Sequence, residues 1–172
     1  NDITGTDLVP PAAIHIEPVG IYPGRVSSLG AIPGGAVIGI PNDPTNEDRA
    51  LQFLERQGYI KIKEDAGNEA VPADIVVNEL GMQFVELEAA MLPASLPDLD
   101  FAVINGNYAI GADIGDTVLA AEGAESPYVN VIAVRSGNED KPEIKALVEA
   151  LQSEEVKAFI LEKYNGIVVP VF

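Results

Sequence analysis

Residues 39–58 read GIPNDPTNEDRALQFLERQG, and the order of residue types in them decides the fold class. AVIGI (36–40) is a short apolar strand, and a polar, Pro-containing turn follows it. The next segment offers Thr45 or Asn46 as N-cap, Glu47 and Asp48 as first-turn acids, apolar Ala50, Leu51, Phe53 and Leu54 on one face, and Gly58 as stop. Those are the marks of a helix of about three turns. A strand that feeds a helix through a short turn is the unit of α/β folds. On this reading Arg49 falls in the first helical turn, where a cation meets the positive end of the helix dipole at a cost of about 0.3–1 kcal/mol. Two explanations stand side by side. A guanidinium beside the unpaired N–H groups of a helix start makes a bidentate carboxylate site. Alternatively, Arg49 pairs with Asp48 or another surface acid, which is worth only ~0–1 kcal/mol.

Working outward, ADIVV, QFVEL and DFAVI are further compact strand-like runs separated by polar and Gly/Pro-containing stretches, and LEAAMLPASLPDLD supplies a short helical link between the last two. AIHIEPVGIY (13–22) alternates as a strand that Pro18 restricts to an edge or a bulge. YVNVIAVR (128–135) is the last clear strand. Two helices follow, one from about Lys141 to Leu151, the other capped by Ser153 and stopped at Asn165 and Gly166. The tail IVVPVF packs as an extended piece.

With 172 residues, 47% of them hydrophobic, the chain can bury a real core. Ten Lys plus Arg against 27 Asp plus Glu give a formal charge of −17, which excludes a nucleic-acid backbone or an anionic membrane surface as partner. No apolar run approaches the roughly 20 residues of a membrane span. The absence of Cys removes disulfides, thiol catalysis and Cys-based zinc sites. His15 is the single histidine, and no H-E-x-x-H, G-x-S-x-G or phosphate-binding loop accompanies it, so a strand histidine with a hydrogen-bonded ring is expected. Asp98 and Asp100 in PDLDF read as a solvated turn, because a hard cation wants six to eight oxygens from a regular loop. The expectation is a binding protein and not an enzyme, with no cofactor and no metal.

Three polar clusters lie where local structure changes: NDPTNEDR at a strand-to-helix turn, INGNYA after an apolar strand, and SPYVN entering another. Ligands of open α/β sheets bind at such strand ends. AIHIEPVGIY, IGIPNDPTNEDRALQFLERQGYIKIKEDAG, VELEAAMLPASLPDLDFAVINGNYAI, SPYVNVIAVR and LVEALQSEEVKAFILEKYNGIVVP resemble, in order and over nearly the whole chain, the NlpA-type methionine-binding lipoproteins. These are the substrate-binding components of ABC methionine importers.

The resemblance implies that Arg49 grips a ligand carboxylate and that Asn105, Asn107 and Asn130 hold amino and carboxylate groups, with either Asn105 or Asn107 facing the ligand. Asn46, Tyr22, Glu17 and Tyr108 take supporting positions. It further implies a type II periplasmic-binding-protein-like α/β fold with two lobes, the N-terminal part of lobe one being missing from this chain. Residues 1–27 are then the returning strand of lobe one and a crossover, 28–105 lobe two, and 106–172 the second crossover with the C-terminal part of lobe one. An incomplete lobe is expected to leave an apolar sheet edge or face. Function follows as capture of methionine or a close analogue in the interlobe cleft and delivery to an ABC permease and its ATPase. The location is extracytoplasmic, with a lipid anchor on the missing N-terminus. A binder of another amino acid or short peptide, or a surface lipoprotein with a vestigial site, is the alternative. The chain departs from the family in carrying Pro23, Gly24 and Arg25 where Ser-Lys-Lys is usual, and in a segment IGADIGDTVLAAEGAE about two residues short.

Overall fold

A computed structural model describes residues 5–123 and 126–172; the first four residues, and Ala124 and Glu125 of the AAEGAE segment, lie outside it. In chain order the elements are β1 (Leu8–Ile16), β2 (Val19–Pro23), β3 (Val37–Pro41), α1 (Pro44–Arg56), β4 (Lys61–Ile62), β5 (Ile75–Val77), β6 (Gln83–Leu87), α2 (Leu92–Ser95), β7 (Phe101–Asn105), α3 (Gly106–Gly111), β8 (Ala120–Ala121), β9 (Val129–Arg135), α4 (Pro142–Leu151), α5 (Glu154–Tyr164) and β10 (Val169–Pro170). The α/β class expected from residues 39–58 holds. The chain divides into two compact units, Val19–Glu122 and Asn1–Pro18 with Gly123–Phe172.

The unit of residues 19–122 is built on a mixed five-stranded sheet of order β6-β3-β7-β2-β8. β3 runs parallel to β6 and β7, and β2 runs antiparallel to β7 and β8. Side chains alternate across this sheet with the period of two that strand geometry imposes. Ile38, Ile40, Phe101, Val103, Val19 and Ile21 point to one face, where Ala50, Leu51, Phe53 and Leu54 of α1 cover them. Ala102, Ile104 and Tyr22 point to the other, against Leu92, Leu96 and Leu99 of the α2 segment. Gly24 follows from this packing: a Cβ there would overlap the carbonyl oxygens of Leu96 and Leu99, so no residue with a side chain fits the turn that leaves β2. The expected lobe 28–105 lies inside this unit. The unit extends further at both ends because β2 pairs with β7 along its whole length and β8 closes on β2.

Three local expectations change. ADIVV does not join the main sheet, since β5 pairs only with the short β4 in a two-stranded ribbon. The strand foreseen at 13–22 is two strands, broken at Glu17 and Pro18, and the first starts earlier, at Leu8. Pro10 and Pro11 are tolerated in β1 because β10 pairs only with His15 and Ile16, leaving the proline end bonded on one side, and the β1–β9 register shifts between Val9 and Ala12. Finally, the N-cap of α1 is Asp43, with Pro44 in the first turn. The Asp-Pro pair outcompetes Thr45 and Asn46 because proline's fixed φ and missing N–H suit the first helical position. Arg49 therefore lies in the second turn, away from the unpaired N–H groups, and the dipole conflict does not arise.

The other unit carries the antiparallel sheet β10-β1-β9 with α4 and α5. Ser153 caps α5 through Val156 N, and Asn165 ends it in the left-handed conformation, as the sequence indicates. His15 lies in β1 with Nε2 3.2 Å from Glu17 Oε1, the hydrogen-bonded strand histidine that was expected. Among the described residues no helix is long and apolar enough to cross a membrane.

Candidate functional site

The parallel strands β3 and β7 end on the same edge of the five-stranded sheet, and each hands over directly to a helix, β3 to α1 and β7 to α3. β2 begins at that edge, because Val19 is paired with Asn105, and β8 ends there, because Ala121 is paired with Gly20. Both places where the chain enters and leaves this unit thus fall beside the carboxyl ends of parallel strands, the position at which α/β sheets bind ligands.

Five of the sequence-derived residues belong to this edge or its neighbourhood. Asn46 and Arg49 are three residues apart on α1 and share a helix face. Asn105 is the last residue of β7 and only 8% exposed. Its Nδ2 donates to Asn46 Oδ1 at 2.7 Å, so two of the predicted residues touch. Asn107 and Tyr108 lie on the exposed side of α3. Tyr22 is a core residue of the α2 face, and burial raises its phenol pKa. Glu17 and Asn130 belong to the other unit, where Glu17 holds His15 and Asn130 is exposed on β9, in register with His15.

Arg49 is 6% exposed and engages a residue that the sequence did not single out. Its Nε donates to Glu122 Oε2 at 3.0 Å, and its Nη2 donates to the same oxygen. Arg56, two helical turns on, donates to Glu122 Oε1 at 2.7 Å, and the backbone N–H of Val19 reaches Oε2 at 3.4 Å. The Glu122 N–H in turn donates to the Val19 carbonyl at 2.9 Å. Glu122 therefore ties α1 to both ends of the unit, with its side chain only 2% exposed. Asp48, the expected surface partner, instead accepts from Gln52 Nε2 and from the Ala70 N–H.

Two acids at the start of α1 have distinct tasks. Asp43 caps α1, accepting the Asn46 N–H at 3.0 Å, and it also accepts the Asn46 side-chain Nδ2 on both carboxylate oxygens, at 2.9 and 3.1 Å. Glu47 is 5% exposed, and its carboxyl is pushed up to about 7 by burial first, then by a hydrogen bond and repulsion from Glu86, then by Asp43. Asp100, named in the sequence as a turn residue, accepts from Val37 N at 2.8 Å and from Arg25. The Val37 N–H above all, then Arg25, holds its pKa below the ordinary carboxylate value. Among the described residues no group of three or more His, Cys, Asp and Glu could hold a metal ion.

Asp43 and Glu122 are the site residues that the sequence reading missed. Asp43 had a usable signal, the Asp-Pro pair at a helix start. Glu122 had none, being one of 27 acids with no local pattern around it.

The arrangement has counterparts. The chain is 39% identical over 162 residues to the membrane lipoprotein TpN32 of Treponema pallidum, covering 93% of this chain and 60% of the relative. It is 38% identical over 166 residues to the D-methionine-binding lipoprotein MetQ of Escherichia coli K12, covering 94% and 61%. It thus spans about three fifths of the length of these curated relatives. Among solved structures, a nutrient-binding protein from Burkholderia cenocepacia bound to methionine superposes with a TM-score of 0.91 at 44% identity, covering 99% of this chain and 73% of that one. The family model described as NlpA lipoprotein matches residues 1–172, and the chain belongs to that family.

Proposed function

We propose that this chain is part of an extracytoplasmic, lipid-anchored substrate-binding protein that captures methionine or a close analogue between two lobes and delivers it to an ABC importer. The observation that carries the reading is the buried oxygen of Asn105. Asn105 Oδ1 is buried and has no hydrogen-bond partner among the described residues, at the carboxyl edge of β3 and β7. A buried acceptor left unpaired costs about 1–3 kcal/mol, which a ligand donor repays on arrival. An amino acid supplies a donor in its ammonium group. Its carboxylate goes to Arg49, whose guanidinium is already oriented by Glu122. Asn105, and not the exposed Asn107, is the ammonium acceptor on this account. The methionine bound to the Burkholderia cenocepacia relative supports the same choice. Capture and release use hydrogen bonds and closure alone, with no covalent chemistry.

Thermal unfolding of the full-length protein tests the reading. A ligand that binds only the native state adds RT ln(1 + [L]/Kd), about 2.7 kcal/mol at a hundredfold excess over Kd. L-methionine is expected to raise Tm in this way. No shift with methionine, or a larger shift with another amino acid or a short peptide, would contradict it.

A further inference from the structure

The orientation of the Asn105 amide is set two residues away. Asp43 Oδ1 and Oδ2 can only accept while the carboxylate is ionised, so the group of Asn46 that faces them must be its NH2, as the 2.9 and 3.1 Å contacts require. That turns Asn46 Oδ1 outward. Asn105 must then present its own NH2 to Asn46 Oδ1, at 2.7 Å, and its oxygen is left buried without a partner among the described residues. The polarity of two side chains, Asn46 and Asn105, is thus fixed by one charge at the N-cap of α1.

We propose that Asp43 is a positioning residue that dictates the hydrogen-bond polarity of the binding site, through Asn46 and Asn105, so that the site accepts a ligand that donates, a primary ammonium, and rejects one that cannot. The inference rests on the reading of Asn105 as ammonium acceptor given above. It adds a residue that touches no ligand, and it accounts for amine recognition without a ligand-facing carboxylate at this position. A neutral amide facing the ligand also adds no further negative charge to a site where Glu122 already lies against Arg49.

Asp43→Asn separates this role from simple capping, because Asn and Asp are about equal as N-caps. The substituted amide keeps an oxygen on the Asn46 N–H and puts an NH2 in place of Asp43 Oδ2, so Asn46 meets one acceptor and one donor where it now meets two acceptors, its polarity is no longer imposed, and Asn46 and Asn105 are free to turn together and present an NH2 to the ligand. In the full-length protein, L-methionine is expected to bind roughly ten- to hundredfold more weakly to Asp43→Asn. The deaminated analogue 4-(methylthio)butanoate should be unaffected or slightly favoured, so the preference for the amine collapses while Tm of the ligand-free protein stays within about 2 °C. An unchanged methionine-to-analogue affinity ratio would overturn the proposal. A second readout needs no ligand: in the free wild-type protein the Asn105 and Asn46 side-chain NH2 signals should show slowed proton exchange by NMR, lost together in Asp43→Asn. Persistence of both in the variant, or their absence in the wild type, would overturn the relay even if methionine is not the ligand.

Discussion

The unit of residues 19–122 and the unit made of residues 1–18 and 123–172 place their apolar side chains differently. In the first, both faces of the sheet are covered, and Phe53, Phe101, Ile21, Ile40, Leu51, Leu92 and Val103 are essentially inaccessible. In the second, the buried hydrophobic residues among those described are Ala12, Ile16, Ile160 and Val168, while Leu8, Val131, Leu147, Phe159 and Leu161 are exposed. The apolar residues are also spaced differently along the helices of the two units. On α1 the apolar residues fall on one face, next to the strand it follows. On α4 only Ile144, Val148 and Leu151 form a half-buried stripe, and on α5 Val156, Phe159, Ile160 and Leu161 spread around the helix. Val131, on edge strand β9, is exposed. A packed core confers rigidity on what lies at its rim. That is where Asp43, Asn46, Arg49, Asn105 and Glu122 are held.

The comparison can be broken by mutation. Phe53→Ala removes a ring from the closed core and should destabilise the protein by about 3–5 kcal/mol in denaturant unfolding. A loss under about 1 kcal/mol would mean that this core is not the stabilising one. Next in size is the buried carboxyl of Glu47. Its pKa, about 7 in the native state against an ordinary 4.5, means that between those values the native state keeps a proton that the unfolded chain has released. Stability should therefore fall as pH rises across that window and level off above it. Glu47→Gln should abolish the slope and exceed wild type by on the order of 1–3 kcal/mol at about pH 8, with little difference at about pH 4. A wild-type profile that rises from about pH 5 to 7, with the variant parallel to it, would place the titration elsewhere. The smallest effect belongs to the open unit: Phe159→Ala, at a site 54% exposed, should change unfolding free energy by no more than about 0.5 kcal/mol.

Elements with strong local signals were legible in the sequence: the helix of residues 44–56, the Ser153 cap, the Asn165 stop and the apolar strands at 37–41 and 101–105. The break at Glu17 and Pro18 was legible only as an irregularity, because whether a proline bends a strand or ends it depends on which neighbours pair there. ADIVV looked like a sheet strand because β-branched composition reports suitability for a pleated surface and not which strand is adjacent. Arg49, Asn46 and Asn105 could be named as candidates, and a ligand carboxylate offered for Arg49, yet its partner within the chain could not be foreseen. Its partner Glu122 is 73 residues away, and such a pairing leaves no periodicity. The misplaced N-cap had a consequence for energetics. With Arg49 in the second turn and bound to buried Glu122, its removal strips a partner from a desolvated carboxylate that keeps Arg56.

Calorimetric titration of L-methionine into the full-length Arg49→Ala protein, held well below its melting temperature, tests the central claim most directly. If Arg49 receives the ligand carboxylate, Kd should rise at least about a hundredfold, from loss of a charge-assisted pair worth roughly 3 kcal/mol or more, and the ligand-free protein should lose about 1–3 kcal/mol of stability as Glu122 gives up its bonds from Arg49. Wild-type affinity in Arg49→Ala, with only the stability loss, would assign Arg49 to the Glu122 tie and remove it from the binding site.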